Sequence, residues 1–301
     1  MIYEIYHETK FDYAAIVTFS HNIARLKPKD INTQRLLEYS LHIEPTPYET
    51  NEFIDYFGNT NNFMLIRESH RTLKVIAKSK VERLEEEINK EIETLKNISI
   101  TVKEAKDRLN KYYKDDVLAK LFLFETESIP MPSIQIKDYI LESFSDDRNL
   151  FEATNEFMGR IFNDFDFVSG FTDITTPIEV VFKEKKGVCQ DFAQFAISAL
   201  RSIGIPTRYV SGYIQTIPPE GKEKLFGADA SHAWFSIYIP TFGWADFDPT
   251  NNKIPNEEYI ILGYGRDYLD ISPLKGVVQS SGGSTLKVKV NVEAIKEKKE
   301  V

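Results

Sequence analysis

The apolar residues of this chain change period along its length, and that change limits the folds open to it. From Ile2 to about Val81, short runs such as Ala15-Ile16-Val17-Thr18-Phe19, Phe63-Met64-Leu65-Ile66 and Leu73-Lys74-Val75-Ile76-Ala77 are separated by turn residues that include Pro45, Pro47, Gly58 and Asn59. Strand-length runs punctuated in this way predict a small antiparallel β-sandwich over residues 1–81. The pattern then shifts. Leu84, Ile88, Ile92 and Leu95 recur at three- and four-residue steps among mixed charges, and Val102 to Leu121 is a second, equally charged stretch. This spacing predicts a charged, helical connector over 82–136 between two domains. Residues 137–301 combine helical and strand periods, so the whole chain reads as α+β.

Composition narrows the function classes. With 42% hydrophobic and 13% aromatic residues among 301, the chain can bury one large core or two modest ones. Its 37 Lys and Arg against 46 Asp and Glu give a net charge of −9, which repels polyanions and argues against a nucleic-acid partner. The single cysteine, Cys189, excludes an intrachain disulfide and any multi-thiolate zinc or iron–sulfur site, and it fits a reducing compartment. No apolar run approaches the roughly 20 residues of a membrane span, and Met1 to Tyr13 is broken by Glu4, His7, Glu8, Lys10 and Asp12. These features predict a soluble, cytoplasmic protein without a membrane partner. No calcium-loop or dinucleotide pattern is present either, so neither a metal nor an organic cofactor is expected.

The chemistry concentrates in the last third of the chain. A helix with one buried face is expected from Leu150 to Phe165, and Thr176-Pro177-Ile178-Glu179 has the form of a capping box opening a short helix to about Glu184. Next, Gly187-Val188-Cys189-Gln190-Asp191 leads into Phe192, Phe195, Ala196, Ala199, Leu200 and Ile203, an amphipathic helix closed by Gly204 and Pro206. Cys189 therefore sits at a helix N-terminus, where unpaired amides and a partial positive charge favour a thiolate, the form that attacks carbonyl carbon. Against this stands the common fate of an unpaired cysteine, which is to be a small buried apolar residue.

Two further segments tip the balance. Arg208 to Ile217 reads as a strand. So does Ala230 to Ile239, with His232 and Trp234 on the face opposite Ala233, Phe235 and Ile237. A tight connection through Pro240-Thr241-Phe242 then predicts an antiparallel partner from Gly243 to Thr250. A carboxylate on that partner can meet His232. Both Asp246 and Asp248 qualify, because residues two apart face the same side of a strand. Cysteine, histidine and aspartate on converging elements match the nucleophile, base and orienter of cysteine acyl transfer. The other histidines, His7, His21, His42 and His70, lie in the expected sandwich and are read as surface or core-edge residues.

At these residues the sequence resembles the bacterial transglutaminase-like superfamily, which includes cysteine proteases. The shared blocks are Gly187 to Ala193, Ser231-His232-Ala233-Trp234, and Gly243 to Thr250. Ile205 to Tyr213 and Gly265-Arg266-Asp267-Tyr268 are similar to further segments of the family. The N-terminal region resembles the subgroup's β-rich domain through Tyr13, Leu26, Pro28, Gln34, Pro45, Asp55, Phe57-Gly58-Asn59 and Leu73. Where the family usually carries His after Asp-Phe-Ala, this chain has Gln194.

The resemblance implies a sandwich followed by a papain-like, transglutaminase-like core over residues 137–301, with Cys189 as nucleophile, His232 as base and Asp248 as orienter. It implies acyl transfer on peptide, protein or small amide substrates through a thioester, with hydrolysis favoured. Glutamine transglutamination, or peptide binding without catalysis, is the alternative.

Overall fold

A computed structural model describes residues 1–111, 113–215, 226 and 230–295. The first part is a sandwich of two four-stranded antiparallel sheets. Its strands are β1 (Ile2–Val17), β2 (Phe19–Ala24), β3 (Gln34–Glu44), β4 (Glu49–Ile54), β5 (Thr60–Ile66) and β6 (His70–Arg83). Alternation along β6 is almost strict, with Leu73, Val75, Ala77 and Val81 buried between more exposed neighbours. This is the half-buried strand pattern expected from its sequence. Between the sheets Tyr13, Val17, Leu26, Met64, Ile66, Leu73 and Val75 form one core.

The sandwich is completed from the far end of the chain. After the central elements come β13 (Leu274–Gln279) and β14 (Ser284–Ile295). The sheet orders are β14-β1-β6-β3 and β13-β2-β5-β4. Strand β14 pairs antiparallel with β1 from Ile2↔Ile295 to Tyr13↔Ser284. A unit bounded at residue 81 would leave one side of the 16-residue β1 unpaired, a long exposed edge of the kind proteins avoid. The described part of the expected 137–301 unit therefore gives its last two strands to the first domain, and residues 296–301 lie outside the described residues.

Residues 82–136 are charged and partly helical, as expected, but they pack into the main core rather than only linking two domains. Helices α1 (Glu85–Lys96) and α2 (Val102–Leu109) bury Leu95, Val102 and Ala105 in the main core, together with Ile129, Ile136, Phe157 and Phe195. Their charges occupy the outer face. The single helix expected from Val102 to Leu121 stops at Leu109 and gives way to 3-10 turns at Lys114–Asp116 and Leu118–Leu123. There Asp116 is buried and accepts from Arg108 Nε at 2.9 Å and the Tyr238 hydroxyl at 2.8 Å.

The central unit is built on α3 (Ile134–Leu141), α4 (Leu150–Asp164), α5 (Ile178–Glu184) and α6 (Cys189–Ser202), with a parallel two-strand bridge of β7 (Asp166–Phe167) and β8 (Lys186–Gly187). An antiparallel sheet in the order β11-β10-β9-β12 follows, from β9 (Thr207–Ile214), β10 (Ser231–Ile239), β11 (Gly243–Phe247) and β12 (Tyr259–Gly265), before the short α7 (Tyr268–Ile271). Strand β9 ends at Ile214, and positions 216 and 217 of the longer expected strand lie outside the described residues. Helix α6 packs on the sheet face carrying Ala233, Phe235, Ile237 and Ile239, and every residue from Asp191 to Arg201 is buried. The expected capping box before α5 is absent. Pro177 is the N-cap, and the Glu179 carboxylate instead accepts from the amide and hydroxyl of Ser133, both at 2.8 Å, at the start of α3.

Two side-chain amides join the sandwich to the edge strand β12. Gln34 exchanges bonds with the backbone of Ile261, accepting from its N–H at 2.8 Å and donating to its carbonyl at 2.9 Å. Asn59 does the same with Tyr264 at 2.9 and 2.7 Å. Beside them Tyr3, Ile5, Val81, Tyr213, Ile260, Leu262, Val290 and Val292 form an apolar cluster across the junction. An open sheet edge is thus satisfied without a further strand.

Candidate active site

Cys189 is the first residue of α6, as its sequence context predicts. Val188 before it is extended, and the Asp191 carboxylate reaches back to accept the Val188 N–H at 2.8 Å and the Thr172 hydroxyl at 2.5 Å. Gly187 makes this turn possible, because a Cβ there would stand 2.9 Å from Asp191. The N–H groups of a helix's first turn lack intrahelical acceptors, and the half-buried Cys189 opens that turn.

His232 lies near the start of β10, and Asp248 lies one residue beyond the end of β11. The hairpin register sets Phe235 opposite Phe247 and Ser236 opposite Asp246, so His232 and Trp234 each meet the carboxylate on their diagonal. His232 Nε2 bonds Asp248 Oδ2 at 2.7 Å, and Trp234 Nε1 donates to Asp246 Oδ2 at 3.0 Å. The two aspartates that spacing left equivalent are thereby separated. Asp246 holds an indole and stands 4.0 Å from Arg208, while Asp248 holds the imidazole.

Asp248 is wholly buried and saturated with donors. Its Oδ2 also accepts from the Tyr259 hydroxyl and Asn251 Nδ2, each at 2.7 Å, and its Oδ1 from the Thr250 amide at 2.9 Å. Burial raises its pKa, but the His232 contact and the Asn251 and Tyr259 bonds outweigh burial and hold it below the usual carboxylate value. The imidazole behaves conversely. Burial favours its neutral form, yet hydrogen bonds to Asp248 and Cys189 and the charges of both push it up from 6.5 to about 10. With Nε2 taken by Asp248, Nδ1 is the ring nitrogen left for the sulfur.

His232 is thus paired with Asp248, Cys189 is near enough to act on the imidazole, and Asp246 is set apart. Sequence reasoning missed four contributors: Thr172, Asp191, Asn251 and Tyr259. Asn251 had a signal, since aspartate opening a turn commonly collects the amides that follow it. Tyr259 had none, as it arrives from β12, two strands from β10. Of the remaining histidines, His7 is not at a surface or core edge. It is buried in the interdomain junction, bonded to the Tyr213 hydroxyl at 2.8 Å and Thr9 at 3.0 Å. Among the described residues, no group of three or more His, Cys, Asp or Glu side chains is placed to hold a metal ion, and no helix is long and apolar enough to cross a membrane.

Comparison with known proteins defines the class. Residues 136–249 match the transglutaminase-like superfamily, and residues 3–82 match the bacterial transglutaminase-like N-terminal region. An uncharacterized protein of Mycobacterium tuberculosis is 34% identical over 297 residues, covering 96% of this chain and 92% of its own. One of Mycobacterium leprae is 29% identical, covering 96% and 97%. The chain belongs to the transglutaminase-like superfamily. A crystal structure from Cytophaga hutchinsonii named as a "putative cysteine protease" has the same fold, with a TM-score of 0.74 at 20% identity over 98% of this chain and 92% of its own.

Proposed function

We propose that the protein is a cysteine-nucleophile hydrolase of peptide or amide bonds, with Cys189 as nucleophile, His232 as acid and base, and Asp248 as orienter. The observation that carries this reading is the buried His232–Asp248 contact at 2.7 Å on Nε2, with Cys189 acting alongside Asp248 to favour the charged imidazole. The Cys189 sulfur adds to the carbonyl carbon, and the backbone N–H of Cys189 donates to the developing oxyanion. His232 gives its proton to the leaving amine, which departs as the thioester forms. It then takes a proton from water, whose oxygen attacks the thioester and releases the acid and the Cys189 thiolate, restoring the thiolate beside a charged imidazole for the next turnover.

Mass spectrometry of the protein with a panel of glutaminyl and other peptides, with and without a primary amine, tests this. Cleaved or deamidated peptide that fails to form with Cys189→Ala supports hydrolysis. Amine-ligated product would make it a transglutaminase. No product from any peptide, with a Cys189 inert to iodoacetamide, would leave a peptide-binding protein on the same fold.

A further inference from the structure

A second polar site lies on the sheet face away from α6, where the sandwich, α1 and the central sheet meet. A cavity of about 350 Å³ opens there, and neither Cys189 nor His232 lines it. That volume is at the low end of small-molecule pockets, roughly 300–1,000 Å³. Its lining is apolar at Ile31, Ile88, Ile92 and Ile254 and charged at Arg83, Arg208 and Asp246. Glu91, also in the lining, is close enough to Arg83, Arg208 and Asp246 to act on their charges, and it adds a second carboxylate to the polar side.

Arg83, Arg208 and Asp246 each carry a buried polar atom with no protein partner, Nε in both arginines and Oδ1 in the aspartate. Leaving buried polar atoms unmade is costly, so such a group needs an occupant. Arg83 is 3% exposed, and its other nitrogens already bond Gln34 at 3.4 Å and the Asn256 carbonyl at 3.2 Å. The Arg208 guanidinium is clamped between two rings, 3.5 Å from the Tyr264 centroid and 4.4 Å from that of Trp244. Stacking fixes the plane of the fork and leaves its edge to bind, the arrangement suited to a planar carboxylate. Asp246 Oδ1 stands 4.0 Å from Arg208 Nη2, which places an acceptor for a cation beside the donors for an anion.

We infer that this cavity binds a small zwitterion with an apolar body, of the α-amino-acid type. The ligand's carboxylate meets the guanidinium groups of Arg83 and Arg208, its ammonium meets the Asp246 carboxylate, and its side chain packs on Ile31, Ile88 and Ile92. Neither a purely anionic nor a purely cationic ligand satisfies both sets of unpartnered atoms.

The proposal is independent of catalysis and is tested by binding to the full chain. Trp244 lines the cavity, so tryptophan fluorescence reports occupancy. L-leucine is expected to change it saturably, with half-saturation below about 1 mM and a matching rise in melting temperature. L-leucinamide, lacking the carboxylate, and N-acetyl-L-leucine, lacking the ammonium, should each bind at least tenfold more weakly. Asp246→Asn should weaken L-leucine tenfold or more and leave N-acetyl-L-leucine unchanged. No response to L-leucine at 10 mM (about ten times the expected half-saturation), or equal binding of the three compounds, would overturn the assignment, and both outcomes are read on the unmutated protein.

Discussion

Replacing Asp248 with Asn keeps the shape of the buried carboxylate and removes its charge. The carboxylate accepts from three donors at Oδ2 and from backbone amides at Oδ1. An asparagine amide has one oxygen and one NH₂, so one of these two sets must face a donor. The orientation that keeps the Thr250 amide satisfied turns NH₂ toward His232, and the ring relieves the conflict by giving up its Nε2 proton. The other orientation restores that bond but orphans a backbone amide. In both cases the charge that holds the imidazolium is gone.

His232 is held at about 10, against an ordinary 6.5 and against the pull of burial. An opposite charge in contact accounts for about 1–3 units, so Asp248→Asn should lower the titration by about two units or more, roughly 3 kcal/mol of lost preference for the charged ring. Imidazole nitrogen shifts in ¹⁵N-histidine-labelled protein follow this directly. The unmutated protein should keep a charged His232 to near pH 10, and Asp248→Asn should neutralise it close to pH 8 or below. Titrations of the two proteins within half a unit of each other would refute the electrostatic argument.

Three further outcomes are expected. Because the folded-state pKa of His232 is raised from 6.5 to about 10, the stability it contributes is complete below pH 6.5 and lost as pH rises through 10. In urea titrations, the stability gap between the unmutated protein and Asp248→Asn should therefore narrow across that window. Gln34→Ala strips the Ile261 N–H of its acceptor, whereas the Ile261 carbonyl keeps the Lys29 amide at 3.1 Å. Arg83 Nη1 also loses Gln34 Oε1 at 3.4 Å and the Lys29 carbonyl loses Gln34 Nε2 at 2.7 Å, so at about 1–3 kcal/mol for each buried group left unpaired a loss of at least that size is expected by urea denaturation. Gly187→Ala puts a methyl 2.9 Å from Asp191 and forces that carboxylate off the Val188 amide, so a cap's worth of stability, about 1 kcal/mol, should be lost and seen in the melting temperature.

Much of this architecture is encoded locally. The start of α6 at Cys189 follows from Gly187, Asp191 and the apolar spacing after them. Period-two alternation set His232 and Trp234 on the face opposite Ala233 and Phe235, and the turns of the first 81 residues declared a sandwich. Local rules failed where two elements share one face or one edge. The charged surface of α1 and α2 hid the few residues, Leu95, Val102 and Ala105, that join the main core. The alternation of Leu286, Val288, Val290 and Val292 marks a strand but not its neighbour, and only the demand of β1 for a second partner seats it in the sandwich.

The site divides along the same line. The residues alone supplied the reactive types and the elements that carry them, because helix starts and strand faces are set by neighbours a few positions away. Spacing left Asp246 and Asp248 equivalent and only the resemblance pointed to Asp248; its 2.7 Å contact with the imidazole, its bracing by Tyr259 and Asn251, and the polar cavity around Arg208 came with the fold. Those outcomes depend on hairpin diagonals and interdomain contacts, which unite residues far apart in the chain and leave no periodic trace in it.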